Sequence, residues 1–193
     1  MSIYSDWLTD RAESYRILAQ FFLNPPDEEA LHAMRQDFSL DSKEPLEQIS
    51  EDFDHLFSLS QGILQPIESL LAPAINISYA DVNEFYAKAG LVIDVSYETS
   101  PDHLSLELLF MSYLVENNRT EMEKKFLEQH LMNWVPYYCD QISKEAKTEF
   151  YREITAIVKD FLTAEYEEYE EYEEYEEYEE YEAYKDDDYG AAL

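Results

Sequence analysis

Glycine is scarce in this 193-residue chain: three occur, Gly62, Gly90 and Gly190. Hairpin turns of the Asn-Gly or Asp-Gly kind are missing with them, which argues against an all-β or Rossmann-type chain. The single cysteine, Cys139, excludes an internal disulfide and a thiolate pair for metal, and fits a reducing compartment. Basic residues are few, 13 against 44 acids, for a formal net charge of −31. Such a surface repels phosphate backbones, so nucleic acid is a poor partner and a cationic peptide or protein segment a better one. No apolar run approaches the roughly 20 residues that span a bilayer, and no basic stretch followed by an apolar core opens the chain. The expectation is a cytoplasmic protein without stable membrane insertion.

The signatures of catalysis are missing too. There is no His-Glu-x-x-His zinc helix, no Gly-rich phosphate loop and no Gly-x-Ser-x-Gly elbow. Glu29-x-x-His32 and Asp52-x-x-His55 have the spacing of di-iron bundles but lack the further inward carboxylates those sites need. They read as surface or capping histidines, and the sequence offers no catalytic residue, no metal set and no cofactor.

What is present is helical patterning with an aromatic bias, 17 Tyr and 10 Phe. Ser5 or Asp6 can cap a first helix through Tyr15, Leu18 and Phe22, stopped by Asn24-Pro25-Pro26. Asp27-Glu28-Glu29 opens a second, ending near Phe38. Ser42, with Pro45 just inside, opens a third along Leu46, Ile49, Phe53, Leu56 and Phe57. An apolar connector with Pro66 and Pro73 follows, and then a helix capped by Ser78 and closed by Gly90. Residues 91–95 are β-prone but have no partner strand, so they are expected as an extended loop. Ser100-Pro101 starts a central helix that is apolar on nearly every side. Thr120 and Glu123 suggest a capping box for the next, which Pro136 breaks or restarts, and a last helix begins near Ser143. The expected fold is all-α: a single-domain helical bundle over 1–164 with an acidic low-complexity extension over 165–193.

That extension holds 15 acidic groups against Lys185 alone, leaving −17 on residues 1–164. Its tyrosines recur every third residue from Tyr166 to Tyr181, a period that moves about 60° round an α-helix at each step and builds no buried stripe. It is expected as a solvated extension, disordered or an extended helix that frays.

Asp102-His103 is the chemically unusual pair. A carboxylate in a helix's first turn is favoured by the exposed N–H groups there. An imidazolium is not, so His103 should be neutral or paired, with Glu107 or Glu98 as candidate partners. Structural capping and ligand recognition both remain open from these residues alone.

Around that pair the sequence resembles the TorD/DmsD/NarJ family of molybdoenzyme maturation chaperones. The matching stretches are residues 85–91, 97–104 and 107–111, with Leu56-Phe57 and Gln65-Pro66-Ile67-Glu68-Ser69 before them and Phe126-x-x-x-His130-Leu131-x-x-Trp134 after. The resemblance covers about residues 5–162. It implies an all-helical chaperone for the catalytic subunit of a molybdopterin oxidoreductase, binding the N-terminal segment, often a twin-arginine signal, and holding the subunit back until its cofactor is inserted. The family's Asp-His pair falls on Asp102 and His103 and its Glu-Ser connector on Glu68 and Ser69. The connector continues here with Leu70-Leu71 where the family often has an aromatic. The expected peptide site comprises Asp102, His103, Pro101, Leu104, Glu98, Glu68, Ser69 and Tyr86, acids for guanidinium groups beside apolar walls to which Leu70 and Trp134 add. The chain is expected as a monomer or a domain-swapped dimer. The alternatives are a helical metal-dependent hydrolase using His103 and Glu107, and a scaffold working through its acidic tail.

Overall fold

Helix patterning in the sequence becomes helices in the computed structural model, which describes residues 3–58, 60–71, 79–93 and 99–190. Nine α-helices are found among them: α1 (Ile3–Gln20), α2 (Glu28–Asp37), α3 (Leu46–Phe57), α4 (Glu68–Leu71), α5 (Tyr79–Lys88), α6 (Leu104–Glu116), α7 (Thr120–Phe126), α8 (Met132–Glu145) and α9 (Glu149–Gly190). A π turn, Leu127–Leu131, joins α7 to α8. The described residues contain no strand; one antiparallel bridge, between Ile67 and His103, is the exception to helix and loop. Ser78, Pro73, Asp94, Val95 and Glu98, to which the sequence assigned roles, lie outside the described residues.

Helix α6 is central, as its all-round apolar pattern requires: Leu104, Leu108, Met111 and Leu114 are fully buried. Helix α1 packs along it and α8 packs along α9. The aromatic bias fills the space between in edge-to-face contacts: Phe57 meets Phe22, Phe53 and Tyr151 with ring centroids 5.3–5.6 Å apart. Asp27 caps α2 through the Ala30 N–H at 2.8 Å, and Gly90 ends the turn after α5 at φ 84°, where a Cβ would be strained. Among the described residues no helix is long and apolar enough to cross a membrane.

Several helix starts differ from the sequence expectation. Helix α1 begins at Ile3, ahead of Ser5 and Asp6. Helix α3 has Pro45 as its N-cap, because Ser42 is drawn away: its backbone N–H, with that of Asp41, donates to Glu153. Thr120 and Glu123 make no capping box; Arg119 is the N-cap and Glu123 instead meets Arg11. The last helix begins at Glu149, not near Ser143, which lies inside α8. Its start is fixed from α3, where the buried Asp52 accepts from the Lys147 and Thr148 N–H groups and the Thr148 hydroxyl at 2.6–3.1 Å. Pro136 neither breaks nor restarts a helix; it sits inside α8, and the irregularity lies upstream in the π turn. At Ser42 and Glu123 the local signal is present, but a distant partner engages the group.

Candidate functional site

The connector at residues 65–71 crosses the start of α6. Leu104 N–H donates to the Pro66 carbonyl at 2.9 Å and Glu68 N–H to the Asp102 carbonyl at 3.0 Å, which forms the bridge at Ile67 and His103. A turn at residues 100–103, closed by His103 N–H on the Ser100 carbonyl at 3.0 Å, delays the helix. Ser100 is therefore not the N-cap of α6, as the sequence suggested: its hydroxyl bonds Asp102, and the N-cap is His103.

The Asp-His pair thus starts two helices at once. Asp102, fully buried, accepts from the Ser69 N–H at 2.9 Å and so serves the first turn of α4. His103 Nδ1 accepts from the Ser105 N–H at 3.2 Å and serves α6, so its remaining proton is on Nε2. Burial lowers the His103 pKa to about 4 against the opposing pull of Asp102, which keeps the ring neutral at this helix end as the dipole argument required.

Glu107 is not the partner of His103. It is fully buried and its Oε2 accepts from the indole N–H of Trp134 at 3.1 Å. Burial first, and then the neighbouring Glu68, push its pKa well above the ordinary glutamate range. Glu68, also buried, meets His130 Nδ1 at 3.0 Å. The π turn brings His130 to this point, its ring stacked on Phe126 and edge-on to Phe85. The sequence shows His130 only as part of a motif and Trp134 as a motif residue and an apolar wall; their four-residue spacing is the signal that both point inward. No three His, Cys, Asp or Glu side chains are gathered for a metal ion among the described residues.

The expected site residues other than Glu98 meet at one joint, most of them buried. Leu104 is fully buried, Tyr86 donates its hydroxyl to the Pro101 carbonyl at 2.9 Å, and Ser69 is half-buried. Leu70, next along, is 58% exposed. The Asp102 oxygens accept from Ser69 and Ser100, and Glu68 faces His130. Tyr86 also lines an apolar hollow of about 200 Å³ with Leu91, Ile93, Leu106, Leu109 and Phe110. A wider groove of about 690 Å³ has Phe85, Met122 and His130 as its apolar and aromatic surface and is of mixed charge, with Glu84, paired to Lys88 at 2.9 Å, Glu121 and Lys125 on its walls. Such a surface can take an extended or helical segment carrying both cationic and apolar side chains.

Residues 22–140 match the family described as nitrate reductase delta subunit. Curated relatives include the "Probable Tat proofreading chaperone DmsD" of Haemophilus influenzae, 26% identical over 39% of this chain and 37% of its own. A perchlorate reductase assembly chaperone protein of Dechloromonas aromatica is 26% identical over 61% of each chain. The chaperone protein TorD of Colwellia psychrerythraea is 24% identical over 66% of this chain and 67% of its own. The chain thus spans from about a third to two thirds of the length of these curated relatives. A crystal structure from Archaeoglobus fulgidus, described as a candidate redox enzyme maturation protein, shares the fold at a TM-score of 0.56 and 22% identity, over 79% of this chain and 93% of that one. With a family match over more than half its length, and the connector, the Asp-His pair and the His130–Trp134 face assembled at one joint, the chain belongs to the nitrate reductase delta subunit family, the TorD/DmsD/NarJ group of molybdoenzyme maturation chaperones.

Proposed function

We propose that the protein is a chaperone that binds the N-terminal segment of the catalytic subunit of a molybdopterin oxidoreductase, and that it works in the cytoplasm before the subunit is assembled or exported. The observation that carries this reading is the meeting of Glu68, Ser69, Asp102 and His103 at a joint that borders an apolar hollow. The names of the relatives support a chaperone role over catalysis. In this reading Asp102 and His103 act by holding α4 and α6 in register, while the apolar part of the client segment lies in the Tyr86–Leu109–Phe110 hollow. Its guanidinium groups are met by exposed carboxylates such as Glu121, and the overall acidity of the chain hastens the encounter.

Tagged protein isolated from its own cells, with its companions identified by mass spectrometry, tests this directly. The expected companion is a molybdopterin oxidoreductase subunit that is lost when its N-terminal segment is deleted. Recovery of that subunit regardless of the deletion, or of no such subunit, would count against the proposal.

A further inference from the structure

Glu107 lies in the first turn of α6 with one carboxyl oxygen satisfied and one not: Oε2 accepts from Trp134, while Oε1 has no donor among the described residues. A buried acceptor without a donor is costly, and a proton on that oxygen removes the problem by turning it into a donor itself. The acid that acts on it most is Glu68, buried on α4 with its own oxygens facing His130 Nδ1 at 3.0 and 3.2 Å. We propose that Glu107 and Glu68 share one proton, donated from Glu107 Oε1, and that this proton fastens the connector helix α4 to the bundle.

The surroundings favour it. From α4 comes Glu68; from the turn before α6, Asp102 and the neutral His103; from the π turn, His130; from α8, the Trp134 indole; and from α5, the Tyr86 hydroxyl. The charged groups that act most on Glu107 are Glu68 and Asp102, both acids, so ionising Glu107 would place like charges together in a buried site. A group whose folded-state pKa is raised takes up a proton on folding. The stability it contributes is complete below about pH 4.5, the ordinary value, and is lost as pH rises through the folded value. Helix α4 would therefore loosen in base. The functional consequence rests on the chaperone reading: α4 carries Ser69 and Leu70, so client affinity should weaken with it.

Glu107→Gln is the test, since an amide of the same shape keeps an acceptor for Trp134 and a donor for Glu68 without titrating. Thermal melts of the full chain from about pH 5.5 upward should show the variant gaining on wild type by about 3 °C per pH unit until the folded-state carboxyl ionises. Parallel curves would overturn the shared proton. Infrared difference spectra at pH 8 should show a protonated carboxyl in wild type that the variant lacks, and its absence from wild type would overturn the proposal as well. Titration with a synthetic peptide carrying Arg-Arg followed by apolar residues separates the two ideas. Diverging melts without peptide binding keep the lock and sink the client reading; parallel melts with binding intact do the reverse.

Discussion

Two buried polar clusters hold this bundle together, and they solve the same problem in opposite ways. At the connector joint, Glu68, Glu107 and Asp102 are gathered with backbone amides, an indole and two histidines. At the foot of the Tyr-Glu-Glu repeat, Arg11 of α1 lies between two acids: its Nε donates to Glu165 at 2.9 Å and its Nη2 to Glu123 at 2.6 Å. Tyr15 adds a hydroxyl to Glu165 at 3.0 Å and Tyr169 one to Glu123. Burial pulls the Arg11 pKa down, but Glu165 and Glu123 outweigh it and leave the pKa raised. One cluster is thus neutralised by protons and dipoles, the other by a fixed cation. The first should answer to pH, and the second to removal of a partner.

The contrast is sharpest where a charge is deleted. Arg11→Met leaves Glu123 and Glu165 buried without their cation, and should cost about 3–5 kcal/mol in urea unfolding. A loss below about 1 kcal/mol would mean the acids simply take up protons, erasing the difference between the clusters. At the joint the expected effect is smaller and depends on pH. His103 has its folded pKa near 4 against 6.5 unfolded, so the unfolded chain gains a proton first on acidification and stability falls as pH drops from about 6.5 toward 4. His103→Asn keeps a capping acceptor but does not titrate. Relative to it, wild type should lose on the order of 2 kcal/mol between pH 7 and pH 4.5, read from paired denaturant curves.

How much of this was legible beforehand follows from range. The apolar period of α6 and the stops after α1 and α5 are local, and they were readable from Leu104–Val115, Pro25-Pro26 and Gly90. Helix starts were not. Ser42 and Glu123 carry good local capping chemistry, yet each is engaged by a tertiary partner, a choice that composition does not encode, while the Ser100 hydroxyl is taken by Asp102 two residues on. The joint divides in the same way. Glu68, Ser69, Asp102 and His103 were visible through the family motif, but their burial, and the Glu68–His130 and Glu107–Trp134 bonds across 62 and 27 residues, depend on how α4 folds back over α6. Asp52, set aside as part of a spurious metal spacing, turned out to fix the start of α9.

In the proposed function the joint and its apolar hollow form the face that receives a client's N-terminal segment. Isothermal calorimetry with the N-terminal peptide of the co-purifying reductase subunit, against wild type and Leu109→Glu, tests it most directly. The partly exposed Leu109 lines the hollow without joining the buried polar network, so the variant should keep its fold by circular dichroism. The account predicts saturable binding to wild type and a loss of affinity of about tenfold or more in the variant, an apolar contact exchanged for a charge. Equal affinity for both folded proteins would contradict it.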